Sequence, residues 1–159
     1  KDTHGTPFRR ALEEGLLDTA RSSQVGLRGP LYGPEDYNMT TEAGMLLIDG
    51  PELHRIGVDE AIRRVRARVG DGPAYLSFDI DFVDPTFAPG TGTPEVGGFT
   101  SAQSQQLLRG LVGVNFVGFD LVEVMPPYDV GNVTSLLAAN LVYEFVSLVA
   151  IRKAAKNLP

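Results

Sequence analysis

Three carboxylates stand within six residues of the sequence, at Asp79, Asp81 and Asp84, directly after an apolar run at 74–78 that predicts a buried strand. Side chains at positions i and i+2 of a strand point to the same face, so Asp79 and Asp81 are expected side by side. Two anions that close repel each other, and burial makes both harder to ionise. A cation between them would relieve this, and magnesium, calcium and manganese prefer oxygen ligands. The spacing therefore predicts a metal site, with the alternative that Asp79 and Asp81 cap a loop in solvent.

The stretch 77–98, SFDIDFVDPTFAPGTGTPEVGG, resembles the signature of the ureohydrolase family, which contains the arginases, agmatinases and guanidinobutyrases. The resemblance continues over nearly the whole chain. It implies manganese-dependent hydrolysis of a guanidino compound, such as agmatine or 4-guanidinobutyrate, to urea and an amine. The segments THGTPF (3–8) and APGTGTPE (88–95) are more similar to agmatinases, guanidinobutyrases and proclavaminate amidinohydrolase than to arginases.

The resemblance also assigns roles to five residues. Asp79 and Asp81 match ligands of a binuclear manganese site. Glu123, in DLVEVMPPYD, matches the glutamate that grips the substrate guanidinium, whose paired N–H groups fit a carboxylate fork. Thr93 matches a residue that orients the guanidinium. His4 matches a histidine assigned to proton transfer, a role that suits a group titrating near neutrality.

Simpler interpretations stand beside these roles. A lone histidine near a chain end is usually an exposed polar residue, and Glu123 could be a strand-end acid facing solvent. Asp84 either orients the glycine-rich loop that follows it or caps a turn before Pro85. No catalytic or binding role is predicted for the remaining residues of interest, which are His54 (expected at the surface), Glu95, Asp120 and Met125.

The metal site of the family needs more ligands than this sequence contains. It normally includes histidines in a Gly-Gly-Asp-His and an Asp-Ala-His-x-Asp element, and neither occurs here, where His4 and His54 are the only histidines. The chain could belong to a longer protein, be completed by another chain, or be a truncated and inactive relative. We expect 1–159 to form the C-terminal part of a single ureohydrolase domain, with the remaining metal ligands outside it.

The sequence alternates between helical and strand patterns. Helices are predicted from Thr6 to 17, after 38, over 57–69, from Thr100 and over 134–156; strands are predicted at 24–28, 45–48, 74–78 and 115–124, and a loop at 32–38. Such alternation implies an α/β fold with a mainly parallel sheet. The resemblance implies the three-layer α/β/α arginase-like fold, incomplete in this chain. Because ligands of open α/β sheets bind beyond the carboxyl ends of strands, Asp79, Asp81 and Glu123 are expected in one crevice.

Composition narrows the class of partner. The 159 residues carry a formal net charge of −6 and no cysteine, which disfavours nucleic acid and excludes disulfides and thiolate metal sites. We expect no apolar run of membrane-spanning length, no membrane partner and a cytoplasmic location. The resemblance implies a homo-oligomer, either a trimer or a hexamer. The competing function is a catalytically inactive fragment or pseudoenzyme that serves as an oligomerisation or binding module; a magnesium-dependent phosphatase using Asp-x-Asp fits the GTGTPE loop less well.

Overall fold

The computed structural model describes residue 3, residues 5–31 and residues 33–156. The helices are α1 (Pro7–Glu13), α2 (Pro34–Glu42), α3 (Gly50–Ile56), α4 (Val58–Val69), α5 (Ser101–Gly110) and α6 (Val133–Lys156). The strands are β1 (Ser23–Val25), β2 (Leu46–Ile48), β3 (Pro73–Asp79) and β4 (Asn115–Val122).

All the strand pairing between these elements is parallel. β1 pairs with β2, and β3 pairs with β4 so that Asp79 lies opposite Val122 at the carboxyl ends. Within the described residues these pairs form two separate two-stranded sheets. The predicted α/β class with parallel pairing is confirmed, and the sheet is incomplete, as expected.

Aromatic rings hold the β3–β4 pair against α6. Phe145 of α6 stacks on Phe119 of β4 with ring centroids 4.9 Å apart, and it meets Phe78 of β3 edge-on at 6.3 Å. The residues of α6 that face this core recur every three or four positions: Thr134, Ala138, Leu141, Phe145 and Leu148. This spacing places the buried side chains on one face of the helix, so α6 packs on the core through that single face along its length.

The opposite face of α6 is apolar as well. Leu136 is 72% exposed and Tyr143 is 70% exposed. By length and composition alone, residues 130–155 could span a membrane, so the expectation that no apolar run approaches that length is wrong. The helix packs through its inner face on α5 and β4. A helix of the core of a protein can have the same length and composition as a membrane span.

Several elements differ from the sequence prediction: α1, β1 and β4 end earlier than predicted, and two helices begin where none was predicted. Helix α3 was not predicted, although it carries a start signal: Asp49 accepts a hydrogen bond from the Glu52 backbone N–H at 2.7 Å, and Pro51 lies in its first turn. Helix α2 begins at Pro34, inside the predicted loop 32–38, where proline fits the first turn of a helix.

Candidate functional site

Asp79 and Asp81 lie on a tight turn at the carboxyl end of β3. Asp79 is the last strand residue, and its Oδ1 accepts a hydrogen bond from the Asp81 N–H at 3.0 Å. Asp81 belongs to a 3-10 turn at Ile80–Phe82, so the prediction that both acids lie on one strand, at positions i and i+2, is wrong, although the two residues do lie close together. The side chains of Ile80 and Phe82, on either side of Asp81, are buried and anchor the turn in the core. Asp81 itself is half-buried.

Burial dominates the electrostatics of this pair. Desolvation raises the pKa of Asp79 to about 6, and the charges of Asp81 and Glu123 add to the rise. Desolvation also raises the pKa of Asp81, against the opposing effects of a hydrogen bond from Thr93 and the charge of Arg28. The three acids therefore lie close enough to repel one another, and a bound cation would favour their ionised forms.

Arg28 joins the turn that carries Asp79 and Asp81, called the acidic turn below, to the glycine-rich loop that follows it. Its Nη2 donates to the backbone carbonyl of Asp81 at 2.5 Å and to that of Glu95 at 2.7 Å. Thr93, on the same loop, donates its hydroxyl to Asp81 Oδ2 at 3.2 Å. The sequence analysis gave Arg28 no role, because an arginine after a short strand carries no signal of such distant contacts.

Asp84 closes the loop on itself. Its Oδ1 accepts the N–H of Thr86 at 3.0 Å, and its Oδ2 accepts the N–H groups of Gly97 at 3.0 Å and Gly98 at 3.1 Å. These hydrogen bonds, first those from Thr86, lower the pKa of Asp84. The two interpretations of Asp84 thus describe the same geometry, since it caps the turn and also holds the far end of the loop.

Glu123 has an unusual backbone conformation. The strand predicted to reach 124 ends at Val122, and Glu123 follows with φ of 66°, in the left-handed region that residues other than glycine seldom adopt. The next residues pair with the loop: Val124 forms an antiparallel bridge with Thr91, and the Met125 N–H donates to the Gly90 carbonyl at 2.8 Å. Backbone strain of this kind is typical of functional residues.

Of the two histidines, only His54 belongs to the described residues. His4 lies outside the described residues, so its predicted role in proton transfer stays a prediction. His54 is exposed, as expected; its Nε2 lies 2.9 Å from the Gly97 carbonyl oxygen, and its ring stacks on Phe99 with centroids 4.3 Å apart. His54 therefore packs beneath the end of the glycine-rich loop.

Asp120 lies on β4 beside Ser77, apart from the acidic turn. Its Oδ2 accepts the Tyr75 hydroxyl at 2.7 Å and its Oδ1 accepts the Ser77 hydroxyl at 2.6 Å. These contacts satisfy the carboxylate within the sheet, which is a structural role that the sequence analysis did not assign.

The donor set fits part of a hard-metal site. Asp79 and Asp81 offer carboxylate oxygens, the ligand type that manganese and magnesium prefer, and their burial makes a cation favourable. Among the described residues, however, no group of three or more histidines, cysteines and acids is arranged to hold a metal ion. Within that part of the chain, Asp79 and Asp81 offer donors of the right type but not a complete ligand set.

A family model described as the arginase family matches residues 1–147. The chain belongs to the arginase family. It is 53% identical over 148 residues to guanidinopropionase and 49% identical over 149 residues to guanidinobutyrase, both from Pseudomonas aeruginosa. These alignments cover 93% and 94% of this chain but only 46% and 47% of the relatives, so the chain spans about half their length.

Solved structures of arginase-family proteins share the fold. The proclavaminate amidino hydrolase of Streptomyces clavuligerus superposes with a TM-score of 0.89 at 41% identity, over 94% of this chain and 50% of that chain. A hypothetical agmatinase from Burkholderia thailandensis gives a TM-score of 0.86 at 43% identity, over 96% and 46%. These matches confirm the predicted family and arginase-like fold. The roles of the individual site residues stay predictions.

Proposed function

We propose that this chain supplies one part of the active site of an enzyme that hydrolyses a guanidino compound to urea and an amine. The observation that carries the proposal is the convergence of Asp79, Asp81 and Glu123 at the carboxyl ends of β3 and β4, where burial and the charge of Glu123 raise the pKa values of Asp79 and Asp81. The names of the arginase-family relatives point to the same chemistry. In this proposal, 1–159 forms part of a single ureohydrolase domain.

Asp79 and Asp81 would hold manganese in a binuclear site whose remaining ligands come from outside this chain. Bound manganese supplies Lewis-acid chemistry at neutral pH. The pair suits this task because both carboxylates accept hydrogen bonds that fix them, from the Asp81 N–H and from the Thr93 hydroxyl. Arg28 holds the carbonyl of Asp81 and so fixes the backbone of the turn.

Glu123 would bind the substrate. A guanidinium presents two parallel N–H groups, and a carboxylate accepts both in one plane, which fixes the orientation of the central carbon. Thr93 would orient the same group from the facing loop. His4 would deliver a proton to the departing amine. Holding the reacting groups in this geometry lowers the entropic part of the barrier.

The test is urea release in the presence of manganese from 3-guanidinopropionate, 4-guanidinobutyrate and agmatine, with the remaining metal ligands supplied by the longer protein or by a partner chain. We expect release from at least one compound and its loss in Asp81→Ala and Glu123→Gln. The matched control is Asp71→Ala, which removes an exposed acid from the turn before β3 and should leave the rate unchanged. An unchanged rate in Asp81→Ala would contradict the site assignment.

A second function is favoured by one observation, the lack of three grouped metal-ligating side chains among the described residues. On this alternative the chain is a catalytically inactive fragment or pseudoenzyme that binds a partner or oligomerises. It predicts no urea from any of the three compounds at any manganese concentration, whereas the first proposal predicts manganese-dependent release.

A further inference from the structure

We infer that Thr134, at the start of α6, is a positioning residue that holds both substrate-binding segments in place through one contact with Gly90. The inference rests on the proposed function, because it concerns how Glu123 and Thr93 come to face the guanidinium. Thr134 does not itself reach the acidic turn in any contact that the structure shows. Its effect on the site passes through the backbone of Gly90.

Gly90 makes two hydrogen bonds that join different parts of the fold. Its N–H donates to Thr134 Oγ1 at 2.8 Å, and its carbonyl accepts the Met125 N–H at 2.8 Å. Gly90 and Thr134 are both buried, with Thr134 fully inaccessible to solvent. Water therefore does not readily replace either hydrogen bond. If the Thr134 hydroxyl is removed, the buried N–H of Gly90 loses its acceptor. The start of α6 is linked in this way to the residue two positions after Glu123.

The start of α6 is a rigid point for this link. The carboxylate of Asp129 accepts the N–H groups of Thr134 at 2.9 Å and Ser135 at 2.8 Å, together with the Ser135 hydroxyl at 2.7 Å. These bonds cap the first turn of the helix. Gly90 is seated directly against the cap, since a Cβ at Gly90 would lie 2.7 Å from the Asp129 Cβ. A residue with a side chain would not fit there.

Gly90 is joined to both substrate-binding segments, to one through the chain and to the other through a hydrogen bond. Thr91 bridges Val124, beside Glu123, and the loop then runs to Thr93, whose hydroxyl reaches Asp81. The left-handed conformation of Glu123 is uncommon, so it depends on the bonds around it. Asp79 and Asp81 are instead placed by the end of β3 and its turn. Loss of the Thr134 contact should therefore disturb substrate binding and leave metal binding in place.

The direct test is hydrogen exchange of the Met125 amide, measured by NMR in the full chain. Thr134→Val removes the hydroxyl at nearly constant volume and should speed this exchange about tenfold, the effect of leaving one buried donor unsatisfied. Thr134→Ser keeps the hydroxyl and should restore the parent rate. The control is Thr40→Val, which removes another buried hydroxyl. The Thr40 hydroxyl lies away from the site and donates a hydrogen bond to Gln24 Oε1 at 2.6 Å. Unchanged exchange in Thr134→Val, or equal acceleration in Thr40→Val, would overturn the inference.

Kinetics supply the second readout. We expect Thr134→Val to raise KM for the guanidino substrate about tenfold while the manganese content per chain stays that of the parent, with Thr134→Ser restoring KM. Faster exchange with an unchanged KM would show that the contact is only structural and would overturn the positioning role. If the parent releases no urea, the proposed function fails, and the exchange of Met125 still decides whether Thr134 holds the segment.

Discussion

At the scale of residues, the site is a set of acids placed where ionisation is unfavourable. Asp79 and Asp81 are half-buried, and desolvation is the main cause that raises the pKa of each, with the charge of Glu123 adding to both. Arg28 is the cation that acts on Asp81, and its Nη2 is already bonded to two carbonyl oxygens. The carboxylates therefore retain the capacity to bind a further cation.

Asp129 provides a pH test of the contact network at the start of α6. Desolvation acts to raise its pKa, but hydrogen bonds from Ser135 and Thr134 prevail and lower the pKa to about 2. An unfolded aspartate titrates near 4. A pKa that is lower in the folded chain contributes stability above about pH 4, and that stability is lost as the pH falls towards about 2.

We therefore expect Asp129→Asn to lower the urea midpoint of unfolding at pH 6 and to have little effect near pH 2. Near pH 2 the Asp129 carboxyl is about half protonated in the folded chain and almost fully protonated in the unfolded chain, so most of the stability that depends on its charge is already lost. Circular dichroism during urea titration at both values measures the difference. Asp71→Asn is the control at an exposed acid, and a difference between parent and Asp129→Asn that stays constant with pH would contradict the assigned cause.

Sequence reasoning found the acids of this site but not their supports. Asp79, Asp81 and Glu123 stand out because acids at strand ends are unusual, and the structure brings them together. The contacts of Arg28 with Asp81 and of Thr134 with Gly90 join residues 53 and 44 positions apart. No local pattern encodes such pairs, since an arginine or a buried threonine has the same local signature in any α/β domain.

At the scale of elements, the loop from Asp84 to Gly98 is shaped by close backbone approach. Asp84 bonds both Gly97 and Gly98, which brings the two ends of the loop together. A Cβ at Gly98 would lie 2.5 Å from the Asp84 nitrogen and 2.7 Å from Arg28 Nη2. The glycine-rich composition therefore has a specific cause at this position.

Gly98→Ala should destabilise the chain by about 1–3 kcal/mol, the usual effect of forcing a methyl group into a packed site. Gly92→Ala is the matched control in the same loop, because its Cβ would meet only the Met125 Cε, at 3.5 Å, an ordinary contact. Chemical denaturation of the two variants measures the difference. Equal stabilities would mean that the loop is not closed in this way.

Elements with strong local signals were predicted best. Helix α5 begins at Thr100, which forms a capping box with Gln103, and the sequence analysis placed a helix start there. The amphipathic helix predicted over 57–69 is α4. The end of β4 was missed, because the apolar pattern continues to Val124 and does not reveal the left-handed turn at Glu123.

At the scale of the whole molecule, α6 has two apolar faces and only one is covered by the described residues. Leu141 is fully buried against the β3–β4 core, whereas Leu136 lies on the outer face. Residues 133–143 carry no charge, in a chain whose net charge is −6. Apolar surface of this kind is typical of a contact with further protein.

A pair of leucine variants separates the two faces. Leu141→Ala should cost about 2–5 kcal/mol of stability, as for other buried leucines, while Leu136→Ala should change stability by less than about 0.5 kcal/mol. Denaturation by guanidinium chloride measures both, at protein concentrations at which the chain is monomeric. A similar loss in the two variants would mean that the outer face is covered within the chain itself.

The expected homo-oligomer can be tested on the same face. Leu136→Lys places a charge on the outer face of α6, near the start of the helix, and we expect it to weaken association without loss of helical circular dichroism. Sedimentation velocity of the parent and variant measures this, with Val96→Lys as the control at an exposed residue of the glycine-rich loop. A parent that sediments as a monomer at all concentrations would contradict the trimer or hexamer.

Manganese binding, monitored by electron paramagnetic resonance of the free ion, is the most direct test of the proposed metal site. With the remaining ligands supplied by the longer protein or by a partner chain, we expect the parent to bind manganese, Asp79→Asn and Asp81→Asn each to abolish this binding, and Asp71→Asn to bind as the parent does. A parent that binds no manganese, or variants of the acidic turn that bind as tightly as the parent, would contradict the proposed metal site.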